Sequence, residues 1–240
     1  MTIITTASMD TIITETDGSL LPLFLWLSPG FPAGAFAYSH GLEWAVEAGD
    51  IVDARSLEAW LTDLMEFGAQ RSDALLFSAA FRSAAAADWP ALMEANSLAV
   101  ALCPSSERRL ETTAQGAAFV VAARAAWDCE PLQLLDRAPE ARIAYPIAVA
   151  AAAGGHGLPL AASLEAFALA QAANLVSAAL RLGRIGQTDG QKILAALLSP
   201  IRALARAAAG ASLADLGACA FRSDIAAMRH ESQYSRLFRS

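Results

Sequence analysis

The residue types best able to do chemistry are scattered through this 240-residue chain rather than gathered. His40, His156 and His230 stand far apart. None pairs with another at helical spacing, and no Cys-His cluster occurs, so nothing marks a metal site within one subunit. A site shared between subunits stays open. Cys103, Cys129 and Cys219 are odd in number and form no C-x-x-C pair, which reads as reduced thiols of a cytosolic protein. Gly183 to Lys192 (GRIGQTDGQK) is glycine-rich and opens a helix, as a phosphate cradle does. Lys192 is misplaced for G-x-x-x-x-G-K-[ST], and no strand precedes it, so a helix end and restart is the better reading. No G-x-S-x-G occurs, and no nucleophile has a base beside it. Glu107 and Glu111 lie one helical turn apart, but Arg108 and Arg109 flank them. They read as a solvated, self-paired face rather than an acid/base pair.

The last stretch stands out from this background. Phe221 to Ser240 (FRSDIAAMRHESQYSRLFRS) carries Arg222, Arg229, Arg236 and Arg239 in a chain of net charge -7. Met228, Tyr234, Leu237 and Phe238 lie between them. Chain ends are normally polar and frayed. An end bearing Leu-Phe between arginines is composed like an interface anchor. Docking of the tail on its own domain is equally compatible with that chemistry.

The elements that must position these groups are helical. Leu160 to Leu182 (LAASLEAFALAQAANLVSAALRL) is apolar nearly all round and is expected to be the buried central helix. Glu165, Gln171, Asn174 and Ser177 within it argue against its rival, a membrane span. Ser28 to Gly34 holds two prolines and two glycines and forces a defined turn. A helix is expected over Ala35–Ala48. Ser56, Ser72-Asp73 and Asp88 are expected to open helices, the last with Pro90 in its first turn. The helix from Ser105 to about Trp127 is expected to bury Leu110, Ala114, Ala117, Val121 and Ala125. Asp128 to Glu140 should be irregular or a short helix. Pro200 should kink or restart the helix that begins near Gly190, and Ser212 should cap a final core helix. No strand pattern, repeat or linker appears. The fold class is therefore all-α, a single-domain helical bundle over 20–220, with a flexible arm at 1–19 and a tail at 221–240. Hydrophobic residues make up 55% and charged residues 17%, which leaves apolar surface to cover. A pI of about 4.9 opposes nucleic-acid binding. The arm has no basic residue or long apolar run and is not a secretory signal.

Three groups of residues, in order, carry a resemblance. Ser28-Pro29, Pro32, Gly34, Phe36, Tyr38-Ser39 and Gly41-Leu42-Glu43 form the first. Ser177 to Leu182 with Gly186-Gln187 and Gly190-Gln191 form the second. His230-Glu231 with Tyr234-Ser-Arg-Leu-Phe-Arg-Ser240 form the third. Together they resemble the urease accessory proteins of the F type (UreF). The resemblance implies a cytoplasmic, non-catalytic urease maturation factor. It implies an adaptor joining the D/H-type accessory protein and apo-urease to the G-type GTPase for nickel insertion. Such a protein has no permanently bound cofactor, and nickel at most passes through its complex. A homodimer is implied, and nucleic acid or membrane is not. The tail residues Arg229, His230, Glu231, Tyr234, Arg236, Leu237, Phe238 and Arg239 are then expected to bind the D/H-type partner, Leu237 and Phe238 by insertion. Ser28, Pro29, Tyr38, Ser39, Glu43, Arg184, Gln187 and Gln191 are expected on a partner or dimer surface. The residues alone leave open a helical enzyme with a buried pocket, or another helical interaction protein.

Overall fold

A computed structural model of the chain describes residues 19–137 and 142–240. The arm expected at 1–19 lies, but for Ser19, outside them. The described residues form helices and no strand, in agreement with the all-α single domain expected. The order is α1 (Leu21–Trp26), α2 (Leu42–Glu47), α3 (Ala54–Glu66), α4 (Ala69–Ala85), α5 (Trp89–Ala101), α6 (Ser106–Ala126), α7 (Glu130–Asp136), α8 (Tyr145–Gly155), α9 (Leu160–Arg181), α10 (Gln187–Gly210) and α11 (Phe221–His230).

The helix at the centre is not the one expected. Every residue of α8 from Tyr145 to Gly154 is buried. Its largest neighbour is α4, and α5, α6, α7 and α9 also pack on it. Alanines at 148 and 150–153 and Gly154 let those helices come close. A Cβ on Gly154 would stand 2.5 Å from the Phe81 carbonyl oxygen. At the entry to α8, a Cβ on Gly116 would stand 2.0 Å from the Ile143 carbonyl oxygen. The longer α9 buries Leu164, Phe167, Ala168, Leu175, Val176 and Ala179 but leaves Leu169 and Ser177 in solvent. Alanine is apolar by composition yet tolerates water, so an alanine-rich helix reads as buried on faces that are not. Both α9 and α10 are long and apolar enough to cross a membrane by length and composition. Here they pack against each other as bundle helices.

Local signals account for several boundaries. Asp88 caps α5 by accepting from the Ala91 amide at 3.1 Å, and Ser105 caps α6 by accepting from the Arg108 amide. Asp53, rather than Ser56, caps α3, and Ser56 closes a reciprocal capping box from the third position. α4 begins at Ala69, ahead of Ser72. α10 runs unbroken through Pro200. Ser212 caps only a single 3-10 turn, Leu213–Asp215. The expected helix over Ala35–Ala48 is split. A 3-10 turn at Ala35–Ala37 is followed by Tyr38 to Gly41 and then by α2. Gly41 has φ +77°, and a Cβ there would lie 2.6 Å from the Ala227 amide nitrogen of α11. The break lets α11 come down backbone to backbone. Within 128–140, α7 is the short helix anticipated, and residues 138–140 lie outside those described.

α6 is turned the other way from its expected orientation. It buries Arg108, Glu111, Gln115, Gly116, Phe119, Val120 and Ala123. Leu110, Ala114, Ala117, Val121 and Ala125 face solvent. The apolar stripe lost to the carboxylates because α2, α11 and the chain end supply polar partners for them on the inner side.

Candidate functional site

The tail folds back onto its own domain and is held by two buried carboxylates. Glu43, on the break-and-restart that forms α2, points inward. Its Oε1 accepts from the Leu237 amide at 2.7 Å and its Oε2 from the Phe238 amide at 2.9 Å. His230 ends α11 with no exposed surface. Its Nδ1 lies 2.6 Å from Glu107 Oε2 and its Nε2 lies 3.3 Å from Glu43 Oε2. A neutral ring can donate to one of these carboxylates and an imidazolium to both. Arg236 donates to the other oxygen of Glu107 at 2.6 Å. Glu231 Oε1 accepts from the amide and hydroxyl of Ser106, both at 2.7 Å, so the tail also caps the start of α6.

The second carboxylate, Glu111, binds the chain end. Ser240 donates its hydroxyl to Glu111 Oε2 at 2.6 Å, and Gln115 donates to Oε1 at 3.0 Å. Arg108 pairs with Oε2, and His40 Nε2 lies 2.6 Å from Oε1. Burial alone would raise this carboxyl. The Arg108 guanidinium, then His40 and the Ser240 hydroxyl, outweigh it and hold Glu111 at about 2. Burial and the nearby Arg108 charge push His40 down, against the pull of Glu111. The Ser39 amide and hydroxyl both donate to the Ser240 oxygen, the former at 2.8 Å, and the Arg239 amide donates to the Ala37 carbonyl at 2.9 Å.

A third contact joins this clamp to α9. The Arg181 guanidinium stands 4.3 Å from the centre of the Phe238 ring and donates to the Phe36 carbonyl at 2.5 Å. Arg181 is one turn before Arg184. The Pro/Gly segment, the α9–α10 turn and the chain end are therefore neighbours, although they are far apart in sequence. Between residues 26–36 and α9 runs a cleft of about 400 Å³, with Trp26, Phe31 and Phe167 on its walls and Gln171, Asn174 and Ser177 along one side.

The expected site residues divide by burial. In the tail, His230 and Phe238 face inward, with Phe238 only 4% exposed. Arg229, Glu231, Tyr234, Arg236, Leu237 and Arg239 are exposed. In this chain alone, then, Phe238 inserts into its own domain while Leu237 points away. Tyr38, Ser39 and Glu43 are buried. Ser39 and Glu43 hold the tail, and none of the three presents a surface, unlike Ser28 and Pro29, which border the cleft. Arg184, Gln187 and Gln191 are exposed on the α9–α10 turn. Sequence reasoning missed His40, Arg108, Glu111 and Arg181. Glu107 and Glu111 were read as solvated, yet Glu111 is 1% exposed. Their spacing was a usable signal, but the tail partners His230, Arg236 and Ser240 lie more than a hundred residues away.

This arrangement holds a chain end. Each carboxylate of the clamp is occupied by N–H or O–H donors. Among the described residues no group of three or more His, Cys, Asp or Glu side chains is placed to hold a metal ion.

Comparison of the sequence with known proteins matches the chain to a family model and to curated relatives. The UreF family model covers residues 51–198. A urease accessory protein UreF of Xanthobacter autotrophicus is 57% identical over 222 residues, covering 92% of this chain and 91% of that protein. That of Azorhizobium caulinodans is 53% identical over 92% of this chain and 96% of its own length. That of Rhodopseudomonas palustris is 50% identical over 235 residues, 98% of this chain and 97% of its own. The chain belongs to the UreF family of urease accessory proteins. Its role is accordingly in urease maturation. In this UreF-family chain the family model stops before α11, so the clamp joins a segment outside the matched region to α2, also outside it, and to α6 within it.

Proposed function

We propose that this chain is a non-catalytic adaptor of the cytoplasm that joins the D/H-type accessory protein and apo-urease to the G-type GTPase. Nickel passes through that assembly and is its cargo, not a resident cofactor of this chain. The observation that carries the reading is the docked tail. Buried carboxylates fix its backbone, while Tyr234, Leu237, Arg229 and Arg239 are turned outward from a rigid base. Tyr234 is fully exposed and Leu237 is 63% exposed. Aromatic, apolar and arginine side chains presented without loss of backbone entropy are what a protein contact needs. The D/H-type partner takes this outward row. The neighbouring α9–α10 turn, with Arg184, Gln187 and Gln191, serves the GTPase or a second subunit.

Co-purification with the D/H-type partner and the GTPase is the test. Tyr234→Ala with Leu237→Ala should weaken capture of the D/H-type protein at least tenfold with folding unchanged. Removal of residues 234–240 should abolish it. Native affinity in the truncated chain overturns the assignment. The rival reading, a helical enzyme using the cleft beside α9, would be revived if the purified chain alone turned over GTP or urea.

A further inference from the structure

A small cavity of about 20 Å³ lies where α4, α6, α9 and α11 meet. Gln70 and Asp73 of α4, Arg108 of α6, Gln171 of α9 and Asp224 of α11 line it, together with His40. Two of these, His40 and Arg108, hold Glu111 and so belong to the clamp. Gln70 is only 6% exposed, yet neither its Oε1 nor its Nε2 meets a hydrogen-bond partner among the described residues. Buried amides almost always make such bonds. Arg108 is 9% exposed and gives its Nη1 to Glu111, which leaves the rest of its fork for another acceptor. Burial pushes Asp73 up to about 6, with no hydrogen bond among the described residues to offset it. Three polar side chains from two helices thus line one small space with bonding capacity unused.

We propose that this cavity binds one water molecule, which bridges Gln70 and Asp73 to Arg108 and so ties α4 to the carboxylate that holds the chain end. The size fits one molecule: a water needs roughly 10–15 Å³ of such space and two to four polar partners. The chemistry selects a molecule that both donates and accepts. Gln70 Oε1 and the ionised Asp73 only accept, and Arg108 only donates. A water gives one hydrogen to each acceptor and takes one from the guanidinium. A cation would sit against Arg108, and an anion against Asp73 and Asp224. Gln171 also lines the cleft beside residues 26–36, so water enters past a single side chain.

The consequence falls on Arg108. Glu111 takes one side of its fork and the water takes another, which fixes the plane of the guanidinium. Arg108 is then kept in place for Glu111, and Glu111 for the Ser240 hydroxyl. Gln70 is a positioning residue for the docked tail, which it does not itself contact.

Oxygen-17 relaxation dispersion of the full chain at pH 7.5 counts waters held longer than the protein tumbles. Gln70→Met, an apolar side chain of similar length, should lose one such water relative to the wild type. Trypsin should then cut after Arg236 and Arg239 several times faster in this variant. A crystal structure of the wild type should place a water within hydrogen-bonding distance of Gln70, Asp73 and Arg108, and it decides the site even if Gln70→Met fails to fold. An equal count of held waters in the two chains overturns the proposal. So does a crystal structure with no water between these side chains, or with an ion there identified by its anomalous scattering. A lost water with unchanged cleavage overturns the positioning role of Gln70.

Discussion

α8 and the C-terminal tail are both buried, by opposite means. α8 is enclosed mainly by shape: alanines and glycines fit against α4 and α6, with Asn96 and Thr112 accepting from the Ala144 and Tyr145 amides at its start. The tail is enclosed by charge: Glu43, Glu107 and Glu111 accept from backbone amides, arginines, histidines and the last serine. Close-packed apolar surface has one good arrangement and resists any change of volume. Hydrogen bonds to carboxylates can be exchanged for water or for another protein's donors at modest net cost. The first region keeps the domain folded. The second is expected to be released without unfolding it.

The largest effect should come from the shape-held region. Gly116→Val drives a side chain into the Ile143 carbonyl and should destabilise the domain by about 3 kcal/mol or more. It should be seen as a lowered midpoint in urea, with the tail and bundle lost together. A normal midpoint would mean that α6 and α8 have room to part.

Next comes the clamp. Glu43→Ala leaves two amides and His230 short of a partner, which should cost about 2–4 kcal/mol. That loss should be local. Trypsin should cut after Arg236 and Arg239 much faster than in the wild type, while the urea midpoint of the bundle shifts little. Equal loss in both readouts would erase the distinction between the two regions.

A smaller effect is set by pH. Half-buried Asp73 on α4 is pushed up to about 6 by burial, with Glu111 adding to the rise and Arg108 opposing it. A folded-state value above the ordinary 3.8 means that its stabilising protonated form is present below about pH 4 and lost as pH rises through 6. Asp73→Asn should therefore stabilise by about 1–2 kcal/mol at pH 7.5 and by almost nothing at pH 3.5. Glu111 has the opposite sign. Held at about 2, it stabilises above the ordinary 4.5, and that contribution is lost as pH falls from there toward 2. Glu111→Gln should remove this acid limb from the melting profile. The smallest change is Tyr234→Ala, which should alter stability by less than about 0.5 kcal/mol. Its effect belongs to partner capture alone.

What was legible in the sequence was local. Asp88 before Trp89-Pro90 and Ser105 before Ser106-Glu107 mark helix starts because the capping groups lie within three residues. The all-α class follows from the same signals summed along the chain. What was hidden depended on distant partners. Nothing near Glu43 announces that it will accept from Leu237 and Phe238, so its buried charge is invisible locally. α6 had two candidate inner faces, one apolar and one carrying Glu107, Arg108 and Glu111. Only the docked chain end decides between them. The apolar run Tyr145 to Ala153, ending at Gly154-Gly155, was legible as a short segment but not as the centre, for the contrary reason: a short helix surrounded on all sides has no polar face to give it a period. The motif residues of the three family segments were recognisable, but their convergence through Arg181 was not, since that arginine looks like an ordinary helix-end charge.

The contact at Gly41 limits how this latch can open. Ala227 rests on it backbone to backbone, without the slack that interlocked side chains would allow. A chain end pried loose would be expected to peel from Ser240 backward and to stall at His230, which both Glu43 and Glu107 contact. The moving part is thus a short strap anchored at a fixed buckle, and its stroke is confined to the face where Phe36 and Arg181 wait beneath it.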